Sequence, residues 1–189
     1  MISSLPNKSK TLVLIVDIQE KLCPTMDPLW LNRVLKQNGL LLEYAKRENI
    51  PVIVSEQYPK GLGPTHQDVL KELAQVSFQK FEKTHFGCFD DPALRSALES
   101  YKDHHIIVTG METHICVLLT TLGLLKNNQK VIIPHDAVIA RSKENHNNGL
   151  EQAGIAGATI SNVESLLFAM MGQSGGETFK AISNRIKTN

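Results

Sequence analysis

Four short apolar runs punctuate the chain: "TLVLIVD" at 11–17, "PVIVSE" at 51–56, "HIIVTG" at 105–110 and "KVIIPHD" at 130–136. They are nearly continuous rather than alternating, as strands covered on both faces of a parallel sheet must be. Between them the apolar positions change to helical spacing. Asp27 followed by Pro28 reads as an N-cap with proline at the first helical position, and Leu31, Val34, Leu35, Leu41, Leu42 and Ala45 then recur near a helical period. Asp91 and Pro92 repeat that signal, and weaker helices are predicted over Thr65–Ala74, Ser142–Ala156 and Val163–Met171. Strands alternating with helices predict a three-layer α/β sandwich with right-handed crossovers. "GQSGG" sets off a tail whose Phe179, Ile182 and Ile186 form a small amphipathic stripe, suited to docking on its own domain or on a neighbouring subunit. The 189 residues therefore divide into one domain, 1–175, and a helical tail, 176–189.

Charge narrows the classes of partner. Lys and Arg total 20 against 19 Asp and Glu, a balance that supplies no broad field for nucleic acid or an anionic membrane and points to small molecules. Cys23, Cys88 and Cys116 are odd in number and widely spaced, which is neither a disulfide framework nor a zinc pattern. Free thiols in the reducing cytoplasm are the expectation. "TLVLIV" ends at Asp17 and is too short to span a bilayer or to serve as a signal core.

In a parallel sheet, ligands bind outside the carboxyl ends of the strands, so the residues that close each run carry the chemistry. Asp17 closes the first run, where a carboxylate used only for packing would be costly to bury. Lys83, in "FQKFEKTHFGCF", is on its own a solvated surface charge on a weak strand. Cys116 follows Gly110 in "VTGMETHICVLLTTLGLL", close to where an apolar helix begins. An isolated cysteine there is a small hydrophobe, yet backbone N–H groups and the positive end of a helix dipole at that place favour a thiolate. The same N–H groups suit an oxyanion. His114 lies two residues away and does not face Cys116 on a helix, which makes it a bystander or pocket wall.

Taken together, Asp17 in "LIVDIQ", Lys83 in "EKTHFGCF" and Cys116 in "VTGMETHICV" resemble the three ordered motifs of the isochorismatase-like cysteine hydrolases, over roughly Thr11 to Met171. Within that family, "SEQYPKGLGPT" is most similar to the small isochorismatase domain-containing proteins, whose substrates are generally unassigned. The resemblance implies a six-stranded parallel sheet flanked by helices, homo-oligomers, and a non-proline cis peptide joining Met111 to Glu112. It implies that Asp17 accepts the thiol proton and later passes it to the leaving group, that Lys83 holds this carboxylate, and that Cys116 attacks a carbonyl carbon. Backbone N–H groups of Glu112 and Cys116 then hold the oxyanion, and water resolves a thioester acyl-enzyme. Gln19 and Gln57 at the mouth either orient a polar substrate or tie loops together.

Departures from the family narrow the reaction. Nicotinamidases of this family carry an Asp-x-His metal motif after the second strand, where this chain reads "SEQYPKG" with no histidine until His66. Isochorismatase proper cleaves a vinyl ether without a cysteine, so Cys116 favours acyl chemistry on an amide, ureide or ester. The seven histidines, including adjacent His104 and His105, have no metal-site spacing, and neither a metal nor another cofactor is expected. Gln19 stands where an aspartyl phosphatase needs its second Asp, and no G-x-G-x-x-G follows "TLVLIV" for a dinucleotide. A non-catalytic scaffold or regulatory oligomer that keeps the fold is the remaining alternative.

Overall fold

A computed structural model describes residues 6–188 of the chain. Its first strand, β1 (Thr11–Val16), is buried at all six positions because parallel strands flank it on both edges. α1 (Pro28–Glu48) starts where predicted: the Asp27 side chain accepts from the Trp30 N–H, and Pro28 gives up no helical donor at the first position. It ends at Asn49, whose φ of 54° is a left-handed cap. β2 (Val52–Gln57) and the one-turn α2 (Pro59–Leu62) follow, then α3 (Gln67–Leu73), shorter than the predicted helix because the His66 side chain caps it.

β3 (Phe78–Lys83) is an edge strand on which only Lys83 is buried, which is why it lacks an apolar run. α4 (Pro92–Glu99) begins on the Asp91 cap, and β4 (His105–Met111) is buried throughout. The chain then forms a wide π turn (Thr113–Val117) before α5 (Leu118–Lys126), so Cys116 lies in that turn and not in the regular helix. β5 (Lys130–Pro134) stops two residues short of the predicted run, and the chain turns as the Ala137 N–H donates to the Pro134 carbonyl. That turn returns β6 (Val138–Ile139) alongside the end of β4. α6 (Lys143–Ile155), β7 (Thr159–Ser161), α7 (Val163–Met171) and α8 (Gly176–Thr188) complete the fold.

The sheet is wholly parallel, in the order β3-β2-β1-β4-β5-β7, with β6 beside β4 as a seventh, two-residue strand. Alternate residues of the central strands enter two cores. Val13, Ile15 and Ile107 pack with Val34, Leu41 and Leu167 of α1 and α7, while Leu12, Leu14 and Val108 pack with Leu94, Leu98, Leu124 and Ala153 of α4, α5 and α6. The tail docks on its own domain: Ile182 is fully buried in the first core, Ile186 packs against it, and Phe179 meets Phe168 edge-on. Arg185 also binds Glu72 through both terminal nitrogens. Among the described residues no helix is long and apolar enough to cross a membrane.

From the centre, β1 leads outward to β2 and β3, and β4 leads the other way to β5 and β7. The boundary between β1 and β4 is therefore the switch point at which such sheets open a crevice. Gly110 sets the local spacing there. Its φ is 112°, and a Cβ would stand 1.9 Å from the Val16 carbonyl oxygen, so only glycine lets the end of β4 approach β1 this closely.

Candidate active site

Asp17, Lys83 and Cys116 meet at that switch point. Asp17 follows β1 in the left-handed region, with φ 51°, and its N–H donates to the Ser55 carbonyl. Lys83 ends β3 and reaches across β2, placing its Nζ 2.6 Å from Asp17 Oδ2. The same ammonium donates to Gln57 Oε1 at 2.7 Å and to the Phe86 carbonyl at 3.2 Å. Three protons thus meet three acceptors. The Ser55 hydroxyl donates to the other oxygen, Asp17 Oδ1, at 2.7 Å, and the Cys116 thiol lies close enough to feel the charge of this carboxylate.

The site is nearly closed to solvent: Asp17 is 0 %, Lys83 2 % and Cys116 7 % exposed. Burial is the largest single influence and disfavours the lysine charge, but the Asp17 carboxylate, together with the nearby Cys88 and Cys116 sulfurs, outweighs it, and the ammonium is held above its ordinary range. Cys116 shifts in the direction that keeps its proton. Burial is the main cause, the neighbouring Asp17 carboxylate adds to it, and Lys83 opposes without prevailing. The resting sulfur is therefore a thiol beside a carboxylate, an arrangement suited to proton transfer as the sulfur attacks.

The peptide bond from Met111 to Glu112 is cis, at the position implied by the resemblance. From there the π turn carries Cys116. α6 presses against this turn, since a Cβ on Gly149 would lie 2.8 Å from the Thr113 carbonyl oxygen and from the His114 Cα. Two side chains anchor the turn from the same direction. Glu112 Oε2 accepts from the Arg141 N–H at 2.9 Å and from Arg141 Nε at 3.0 Å, and Thr113 Oγ1 lies 3.0 Å from His146 Nδ1.

Of the two readings of the mouth glutamines, loop tying describes Gln19. Its amide donates to the Gln57 and Gly63 carbonyls and accepts the Gln57 N–H, and the residue is fully buried. Gln57 is divided between Lys83 and the Thr84 carbonyl. Half-buried His114 has no hydrogen-bond partner for its Nδ1. His66 caps α3, and no group of three or more His, Cys, Asp or Glu side chains able to hold a metal occurs among the described residues.

Two residues escaped the sequence reading. Ser55 touches Asp17, and Cys88 Sγ lies 3.6 Å from the Ser55 hydroxyl. A hydroxyl after the apolar "VIV" was a faint signal, but only the pairing of Val16 with Ser55 shows what it serves. Cys88 is fully buried and burial raises its pKa to about 11, so it rests as a thiol.

This geometry defines an α/β protein with a buried acid, base and thiol cluster at its central switch point. The family model of the isochorismatase domain matches residues 11–165, and the chain belongs to that family. Isochorismatase family protein 1B of Dictyostelium discoideum is 35% identical over 170 residues, covering 89% of this chain and 82% of the relative. Among solved structures, that described as the MAR1 ribonuclease of Caenorhabditis elegans superposes with a TM-score of 0.87 at 29% identity, covering 97% of this chain and 93% of the other. The YcaC gene product of Escherichia coli, described as an octameric hydrolase of unknown specificity, shares the fold with a TM-score of 0.83 at 17% identity, covering 100% of this chain and 90% of the other.

Proposed function

We propose that this protein is a cysteine hydrolase of small amides, ureides or esters, with Asp17, Lys83 and Cys116 as its triad. The observation that carries this reading is the buried Asp17 carboxylate, bound by Lys83 Nζ at 2.6 Å and acting with its charge on the neighbouring Cys116 thiol. Asp17 takes the thiol proton as sulfur attacks the carbonyl carbon, and the tetrahedral oxyanion is held by the backbone N–H groups of Glu112 and Cys116. As the bond to the leaving group breaks, Asp17 returns the proton to the departing nitrogen or oxygen. The thioester left on Cys116 is then attacked by water, whose proton passes to Asp17 and back to sulfur as the acid is released. Lys83 is bound to three acceptors and holds the Asp17 carboxyl group oriented through both steps.

Tyr58 and Phe86 mark the rim of this site. The Tyr58 N–H donates to the Lys83 carbonyl, the Phe86 carbonyl accepts from Lys83 Nζ, and the two residues are 56% and 58% exposed. Exposed aromatic side chains at a polar site suit a homo-oligomeric state that covers them, in keeping with the octameric description of the Escherichia coli neighbour. The hydrolase reading is tested by screening amides, ureides and esters with the full chain and with Cys116→Ala. Turnover that disappears in the variant supports it; turnover that persists removes Cys116 as the nucleophile, and none across the panel favours a scaffold that keeps the fold.

A further inference from the structure

The carboxyl edge of the sheet carries a second opening. A cleft of about 700 Å³ lies between the start of α1, the β5–β6 turn and the start of α6, and it is lined by none of the three triad residues. Its floor is aromatic, with the Trp30 indole meeting the His146 ring edge-on, centroids 4.8 Å apart at 80°. His146 is only 6 % exposed, and burial, aided by nearby His135, lowers its pKa to about 4, so the ring is neutral at neutral pH. Leu29, 84 % exposed, extends the apolar edge.

Cations stand around that floor. Arg141 is paired with Glu112, but among the described residues Arg33 and Lys143 have no ion pair or side-chain hydrogen bond. The two carboxylates of the cleft are partly satisfied by the backbone: Asp27 Oδ1 accepts from the Trp30 N–H and Asp136 Oδ1 from the Val163 N–H. An apolar ring surface beside two unpaired cations is complementary to a flat ring that bears one anionic group, with arginine able to grip a carboxylate through two parallel hydrogen bonds.

We propose that this cleft is a second small-molecule site, which takes an aromatic monocarboxylate with its ring against Trp30 and its carboxylate between Arg33 and Lys143. The site also adjoins the turn that carries Cys116. Two of its lining residues, Arg141 and His146, are the ones that anchor Glu112 and Thr113. A ligand seated there therefore acts on the reactivity of Cys116 through two direct contacts. Binding itself is independent of the hydrolase reading; only this second effect involves the cysteine.

Trp30 is the sole tryptophan, so its emission reports the cleft directly. Sodium benzoate is titrated into the full chain, with sodium chloride as the ionic control. The emission change saturates, Arg33→Ala and Lys143→Ala each weaken binding by about tenfold or more, and benzyl alcohol, with a similar ring and no charge, binds more weakly by a similar factor. Both substituted side chains are exposed, and circular dichroism verifies that the variants fold. A change linear in benzoate, an affinity unaltered in both variants, or equal binding of the alcohol overturns the site. Saturating benzoate also changes the rate at which iodoacetamide modifies Cys116 in the parent chain and leaves it unchanged in the Arg33→Ala, Lys143→Ala double variant; equal rates with and without benzoate in the parent overturn the coupling.

Discussion

The triad site and the Trp30–His146 cleft both adjoin the turn that follows β4, yet they are built on opposite plans. In the crevice the groups answer one another: Lys83 has three acceptors, and Asp17 receives from Lys83 and Ser55 beside the Cys116 thiol. In the cleft, Arg33 and Lys143 face solvent beside an aromatic floor. The contrast separates two tasks. A closed, low-dielectric cluster strengthens charge interactions and fixes where a proton moves, whereas an open cleft with unpaired cations keeps its interactions for a ligand.

The largest test of this contrast removes charge from each side. Lys83→Ala leaves the Asp17 carboxylate buried without its cation, and we expect a stability loss of about 3–5 kcal/mol in urea denaturation. Lys143→Ala, at an exposed position, should stay within about 0.5 kcal/mol of the parent. Similar losses in the two variants would remove the distinction between crevice and cleft.

The pH dependence separates the regions by sign. His146 has its folded pKa lowered from 6.5 to about 4, so its contribution is complete above pH 6.5 and is lost as pH falls towards 4. At full extent this amounts to roughly 3 kcal/mol, and His146→Gln should flatten this acid limb. Lys83 behaves oppositely: its folded pKa is raised above 10.5, so its contribution is present below that pH and is lost as pH rises through the folded value. Thermal melts across both ranges, with and without the glutamine substitution, check both limbs.

A smaller effect belongs to Ser55. Ser55→Ala deletes one donor to a buried carboxylate, for an expected loss of about 1.5–3 kcal/mol, while the ion pair with Lys83 remains. Denaturation of the single and double variants at Ser55 and Lys83 should show coupling, since both side chains act on Asp17. Additive losses would mean that the two oxygens of Asp17 are held independently.

How far these regions could be read in advance follows from how each is assembled. Asp17 was visible as an acid closing an apolar run, and the Asp27 and Asp91 caps marked their helices directly. Lys83 had no such signal, because β3 is an exposed edge strand; only its likeness to a family motif brought it forward. Ser55 depended on strand register, and the π turn on the close packing of α6 against it, neither of which leaves a local pattern. The cleft was hidden for a further reason. Residues 27–33 and 135–147 meet only because the chain turns after Pro134 and sends β6 back beside β4, where the apolar run had suggested one longer strand.

The central claim is that Cys116 is a nucleophile served by Asp17. Acid-quenched peptide mapping after brief exposure to p-nitrophenyl acetate tests it most directly, because a thioester survives acid and adds an acetyl mass to one cysteine. The account predicts acetyl on Cys116, little on Cys23 or Cys88, and a marked loss of the adduct in Asp17→Asn, whose amide keeps the shape of the acid but cannot accept the thiol proton. Acetyl spread evenly over the three cysteines, or a Cys116 adduct formed as fast in Asp17→Asn as in the parent chain, would contradict it.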